Sequence, residues 1–355
     1  MEEHDNLVVA TATRIFTDLS DAQTIAHAKD TSWKAPLWQT LAESGLPLSW
    51  VPDTLGGAGA SLADGFAVLN AAGRFAVSVP LAETMLAGWL LGRAGIASPG
   101  DAMTIAPATP TGRIVLNDDG TLSGHVRKIP FASETETIAL IATRQSGDGV
   151  VALVETASCR LTPHLTLAGD PCDTVELEQI QPLEMAPAPR GTDVTSLLLM
   201  GAVARSLQIA GALETMLDIS VRYANERIAF EKKIAKFQAI QHNLAKLAGE
   251  AAAALAAASS AADAFAGGQA LDEALFLEAA AAKIRCAEAA QKGAAIAHQV
   301  HGAIGFTREH PLHRFTMRAL AWRDDFGNES YWAAELGRRV AARGADELWP
   351  LVASR

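Results

Sequence analysis

Asn225-Glu-Arg-Ile-Ala-Phe-Glu-Lys-Lys-Ile-Ala-Lys-Phe-Gln238 sets one arginine, two phenylalanines and a glutamine at fixed intervals, in the order Glu-Arg-x-x-Phe-x-x-x-Ile-x-x-Phe-Gln. A guanidinium held at such a point can pair with phosphate oxygens bidentately, which an ammonium cannot do. Lys232, Lys233 and Lys236 read as a solvated helix end beside it. Downstream, Gln299-Val-His-Gly-Ala-Ile-Gly-Phe-Thr-Arg-Glu-His-Pro311 closes an alanine-rich helical run. Glycines at the end of a helix let backbone N–H groups approach a phosphorylated ligand closely. His301, inside that segment, reads as a packing or hydrogen-bonding residue rather than a base. A third segment, Ala321-Trp-Arg-Asp-Asp-Phe-Gly-Asn-Glu-Ser-Tyr331, mixes carboxylates with aromatic residues.

Together the three segments resemble the C-terminal half of the acyl-CoA dehydrogenases, flavoenzymes that remove two hydrogens across the α and β carbons of an acyl thioester. The resemblance implies FAD as cofactor and an acyl-CoA thioester as ligand. It implies that Arg227 reaches the pyrophosphate of an FAD held mainly by a neighbouring subunit, with Phe230, Phe237 and Gln238 lining the same nucleotide. Gln299, His301, Gly302 and Ala303 fall on the family's second nucleotide loop. Two positions depart from the pattern: Glu231 stands where the family has Gly, and Ala303 where it has a second Gly.

The catalytic positions depart further. Counted without a gap from Gln299, the family's catalytic Glu falls on Phe326 and its Gly on Gly327, and a phenyl ring cannot accept a proton. Some members carry the base on an earlier helix, and that position, counted back from Arg227, falls on Gly201 with Ala202 beside it. Arg205 is a candidate for the family's arginine displaced by a helical turn, but an arginine is no base at neutral pH. Asp325 is the nearest carboxylate for a relocated base, with Asp324 and Glu329 behind it; the alternative for all three is solvated surface or ion pairing with Arg318 and Arg323. In the middle of the chain, Thr104-Ile-Ala-Pro-Ala-Thr-Pro-Thr-Gly-Arg113 and Lys128-Ile-Pro-Phe-Ala132 match the family's flavin-ring segments poorly. The expectation is a chain that keeps what acts on a neighbour's FAD and has lost what acts on its own, as in the short subunit of bacterial heteromeric, steroid-type members. A homo-oligomeric enzyme using Asp325, and a scaffold without redox chemistry, are the alternatives. The expected assembly is a homo- or hetero-oligomer, dimer or tetramer, with a dehydrogenase-like partner.

The pattern along the chain predicts an α+β fold in three parts: an N-terminal α-helical domain over 1–100, a small antiparallel β domain over 101–190 and a C-terminal four-helix bundle over 191–355. Ser61-Leu-Ala-Asp64 is a capping-box signal for a helix through Gly73. Arg113 to Leu116, Ile138 to Arg144, Val150 to Glu155 and Thr174 to Glu178 read as strands separated by turn signals, and Pro182 to Arg190 as a linker. Ile240, Leu244, Leu247, Ala251 and Leu255 share one helical face; Gly267-Gly268 breaks that helix and Asp272 caps the next.

The 355 residues are 49% apolar and 19% charged, suited to a sizeable core with some surface covered by assembly. A net charge of −11 disfavours nucleic acid or an anionic membrane as main partner. Cys159, Cys172 and Cys286 have no metal-ligand spacing, and no metal is expected. No uninterrupted apolar run approaches the roughly 20 residues of a membrane helix. Met1-Glu-Glu-His-Asp5 lacks the basic and apolar regions of a signal peptide, which points to the cytoplasm.

Overall fold

In a computed structural model, residues 5–28, 30–267 and 272–353 are described. The N-terminal layer consists of α1 (Asp5–Leu19), α2 (Ala22–Ala26), α3 (Lys34–Glu43), α4 (Leu62–Arg74) and α5 (Leu81–Arg93). The expected box forms at α4: the Ser61 hydroxyl accepts from the Asp64 N–H, and the Asp64 carboxylate accepts from the Ser61 N–H. These contacts satisfy backbone donors that the first turn leaves orphaned. From Leu81 to Leu91 every residue of α5 is buried, so this helix belongs to the core rather than to a surface cleft.

The middle layer is one eight-stranded sheet built from β1 (Met103–Ala106), β2 (Arg113–Leu116), β3 (Leu122–Pro130), β4 (Thr137–Thr143), β5 (Gly149–Glu155), β6 (Arg160–Thr162), β7 (Cys172–Ile180) and β8 (Glu184–Pro187), in the order β6-β7-β3-β2-β4-β5-β8. The sheet is mixed, not antiparallel: β1 and β2 both pair parallel to β4. The stretch from Met103 to Leu116 is interrupted by Pro107, Pro110 and Gly112, so it splits into two short strands that share one edge of β4. Part of the expected linker is also a strand. β8 pairs with β5 at the sheet edge, where Pro187 needs no ladder donor.

The C-terminal layer contains α6 (Val194–Glu226), a two-stranded hairpin of β9 (Ile228–Ala229) and β10 (Lys232–Lys233), α7 (Gln238–Gly267), α8 (Glu273–His301), α9 (Leu312–Trp322), α10 (Glu329–Arg343) and the short α11 (Leu348–Ala353). The three long helices pack on one another; α9 packs on α6 and α8, and α10 on α8. By length and composition α6 could cross a membrane, but its most apolar window is wholly buried inside the fold. Asp272 caps α8 through the Leu275 N–H, as expected. Of the face read on α7, Leu247 and Ala251 are buried, whereas Ile240, Leu244 and Leu255 are only partly covered. Gly268 and Met1–His4 lie outside the described residues.

Candidate active site

The two places where a catalytic carboxylate was sought lie face to face. Phe326 is fully buried at the end of α9, in a left-handed conformation with φ +54°. Its N–H donates to the Ala108 carbonyl at 3.1 Å, and its carbonyl accepts from the Trp332 indole N–H at 3.1 Å. Its ring lies against α6 at Gly201, where an added Cβ would come 2.3 Å from the ring atoms. The hydrogen side chain of Gly201 is therefore what admits the phenyl, and hydrocarbon fills the space between the two positions.

Around this plug is a buried ion network that sequence spacing does not reveal. Arg205, 2% exposed, donates through Nε to Asp325 at 2.9 Å, through Nη1 to Gln208 at 2.6 Å and through Nη2 to Glu83 of α5. Its guanidinium carbon sits 5.7 Å from the Phe326 ring centroid. Lys283 of α8 is fully buried and donates to the carbonyls of Trp322 and Asp325, both at 2.7 Å. With Lys283 protonated, two cations stand against two carboxylates. Burial pushes the Glu83 carboxyl up, against the pull of Arg205. Burial also works against the Arg205 charge, but Glu83 and Asp325 outweigh it and hold its pKa above the ordinary value. Lys283 is pulled down to about 7 by burial, with Asp325 opposing.

Asp325 is thus engaged, 7% exposed and ion-paired to Arg205. The pairings considered for it with Arg318 and Arg323 do not form: Arg318 binds Asp170 at 2.9 Å and Arg323 binds Glu329 at 2.5 Å. Asp324 is exposed, 3.9 Å from Lys128. In the middle layer, Thr104 spends its hydroxyl on the Pro130 carbonyl at 2.5 Å, and Ile105, Ala106 and Ala108 are buried. This stretch supports the sheet and the Phe326 turn. A cleft of about 420 Å³ remains beside Lys128, Cys172, Thr174, Leu320 and Asp324.

The nucleotide motifs lie on the surface at the far end of the bundle. Phe230 and Glu231 form the two-residue turn of the β9–β10 hairpin with φ of +51° and +63°. Two successive left-handed residues suit a tight hairpin and favour glycine or asparagine. Glu231 therefore takes the backbone conformation a glycine would have supplied, and the turn survives the substitution. Arg227 and Gln238 are exposed, Phe237 is partly so, and Phe230 is 89% exposed, its ring 6.2 Å from Phe237. Among the described residues Arg227 has no ion pair. Gln299, Gly302 and Ala303 are exposed at the end of α8, where Gly302 turns the chain with φ +65°.

His301 differs from its neighbours: its ring is buried, with Nδ1 2.8 Å from the Ala297 carbonyl, and stacks on Tyr223 at 4.5 Å. Burial lowers its pKa, so it is a neutral packing element whose backbone alone reaches the loop. Tyr223, unremarked in the sequence, joins the two motifs. It lies one turn before Arg227, and its hydroxyl donates to the His301 carbonyl at 3.3 Å. No group of three or more metal-ligating side chains occurs among the described residues.

Residues 190–340 match the model of the acyl-CoA dehydrogenase C-terminal domain. Over 91% of the chain and 90% of its counterpart, the sequence is 30% identical to acyl-CoA dehydrogenase IpdE2 of Mycobacterium tuberculosis. The chain belongs to the acyl-CoA dehydrogenase family. Acyl-CoA dehydrogenase FadE27 of the same organism is 27% identical over 86% of the chain and 88% of its own length. Among solved structures, the ChsE4–ChsE5 complex of Mycobacterium tuberculosis has the same fold, with a TM-score of 0.84 at 20% identity, covering 97% of this chain and 99% of that one. PigA, solved with FAD and proline, superposes with a TM-score of 0.81 at 18% identity, covering 97% of this chain and 99% of that one. PigA and the acyl-CoA dehydrogenase of Bacillus anthracis were both solved with FAD in this fold. The exposed guanidinium, aromatic pair and Gly302 turn fit the nucleotide end of FAD, whereas the Phe326 plug and the spent Thr104 hydroxyl do not fit its ring.

Proposed function

We propose that this chain is the half-site subunit of a heteromeric, FAD-dependent acyl-CoA dehydrogenase and works with a dehydrogenase-like partner that carries the catalytic base. The observation that carries the reading is the contrast between Phe326, sealed against Gly201, and Arg227, presented without an ion pair. In this assignment Arg227 binds pyrophosphate oxygens as a bidentate fork. Phe230, Phe237 and Gln238 cover the nucleotide. Backbone donors around Gly302 and Ala303 approach the phosphates or adenosine. When bound, FAD supplies the hydride acceptor for the β-hydrogen of the substrate. The α-proton goes to the partner's base, since this chain presents no free carboxylate at either family position.

Similarity to IpdE2, and a fold shared with the ChsE4–ChsE5 complex and with the Tcur3481–Tcur3483 steroid acyl-CoA dehydrogenase, favour a bulky acyl-CoA thioester as substrate of the assembly and a dimer or tetramer as its form. The domains are assigned as 1–100, 101–190 and 191–355, and the cytoplasm as the compartment. The test is the flavin content of the chain purified alone and with its partner. The expected result is little flavin alone and about one FAD per two chains in the complex. Stoichiometric FAD in the isolated chain, reduced on addition of acyl-CoA, sinks the proposal. A self-sufficient enzyme with Asp325 as base is the competing reading. Asp325→Asn in the assembled enzyme decides it: loss of the α-proton step with flavin binding and folding intact would favour the competitor.

A further inference from the structure

The largest cleft described on the molecule belongs to neither the sealed catalytic position nor the nucleotide face. It has a volume of about 660 Å³ and lies where α1, α2, α4, α6 and the start of α9 meet. That size is in the range of small-molecule sites. Val9, Ala71, Phe75, Ile219 and Phe315 form an apolar part of its wall beside Thr13, Gln23, Asn70 and Thr215, and Arg74 and Arg222 both line it. Arg222 lies about 30 Å from Gly201 along α6, at 1.5 Å per residue. None of the eight residues assigned to the nucleotide is among its lining residues.

One guanidinium of this cleft has no paired counter-charge among the described residues. Arg222 has no ion pair among the described residues. Arg74 has only Glu214, with Nε 4.0 Å from the carboxylate, a long contact. The carboxylate on the rim, Asp21, accepts from both the N–H and the hydroxyl of Thr24 at 2.7 Å; these bonds lower its pKa and hold it, still an anion, against the first turn of its own helix. The unpaired Arg222 and the loosely paired Arg74, beside the apolar side chains of this wall, leave guanidinium donors open to an anionic ligand in a protein of net charge −11. A guanidinium fork matches a carboxylate, and the wall matches an alkyl or fused-ring body.

We propose that this cleft binds a hydrophobic monocarboxylate, with its apolar body against Phe75, Ile219 and Phe315 and its carboxylate taken by Arg74 and Arg222. The proposal does not depend on the half-site reading, because its wall uses no residue of that reading.

The experiment is titration calorimetry on the full-length chain with decanoate below its micelle concentration, alongside decanol, decyl phosphate and acetate. One saturable decanoate site per chain is expected, with affinity falling at least about tenfold in Arg74→Gln/Arg222→Gln. The exposed Arg144→Gln, which removes the same charge elsewhere, should leave the affinity unchanged. Acetate should fail for want of an apolar body, and decanol for want of a charge. Decanol binding as tightly as decanoate, decyl phosphate binding far tighter, equal decanoate affinity in the double variant, or no saturable decanoate site would each overturn the proposal.

Discussion

The two ends of the C-terminal bundle treat their arginines oppositely. At the Gly201 end, Arg205 is 2% exposed and locked by Glu83, Asp325 and Gln208. At the other end of the same helix, Arg227 is exposed and free of any ion pair among the described residues. One guanidinium has become structure; the other remains available to a ligand. A family site can therefore lose its chemistry on one side while keeping binding groups on the other, because α6 holds the two ends far apart and each is supported by its own local contacts.

Four experiments would break or sharpen this contrast. The largest effect is expected at the locked end: Arg205→Ala leaves Glu83 and Asp325 buried without their cation and should cost about 3–5 kcal/mol in denaturant unfolding. A variant as stable as the parent would show the network to be dispensable. Next, Gly201→Ala drives a methyl group into the Phe326 ring and should cost about 1–3 kcal/mol. Combined with Phe326→Ala, it should cost less than the sum of the two single changes. Strict additivity would mean that the two positions do not press on each other.

Lys283 gives the third. Burial lowers its pKa in the fold to about 7 from the ordinary 10.5, so the unfolded chain holds more protons between those values. Its contribution is most unfavourable below pH 7, and that penalty is relieved as pH rises toward 10. Stability should climb across this window by up to about 1.4 kcal/mol per pH unit, and the climb should be absent in Lys283→Met. Urea midpoints measured at several pH values decide it. The smallest effect belongs to the open end. Glu231→Gly removes a left-handed non-glycine residue and should stabilise by about 1 kcal/mol, seen as a higher thermal midpoint, with flavin content of the assembly unchanged. A lower midpoint would show that the glutamate side chain itself supports the turn.

Much of this was legible in the sequence, and the rest was hidden for identifiable reasons. Ser61 and Asp272 cap helices as read, because capping is a local event spanning three residues. Phe326 could be found by counting along a helix–turn–helix without a gap. The network around it could not, since Arg205 meets Glu83 and Asp325 at separations of 122 and 120 residues. β1 was hidden by its brevity and by Pro107, and β8 by a proline-rich setting that an edge strand tolerates. His301 sits in the right motif, yet its ring turns inward, a choice made by Tyr223 on another helix.

The contact between Gly201 and Phe326 also constrains the order in which this surface could change. A phenylalanine at 326 is accommodated only once position 201 carries no side chain, and thereafter any side chain at 201 meets a ring. A carboxylate returned to either position alone would enter a compartment already holding Glu83 and Asp325, with Arg205 committed to them and Lys283 to the carbonyls of Trp322 and Asp325. Recovery of the base would need several coordinated substitutions, each disruptive by itself. The substitution works as a ratchet: once closed, this half of the site is held out of use by its own packing.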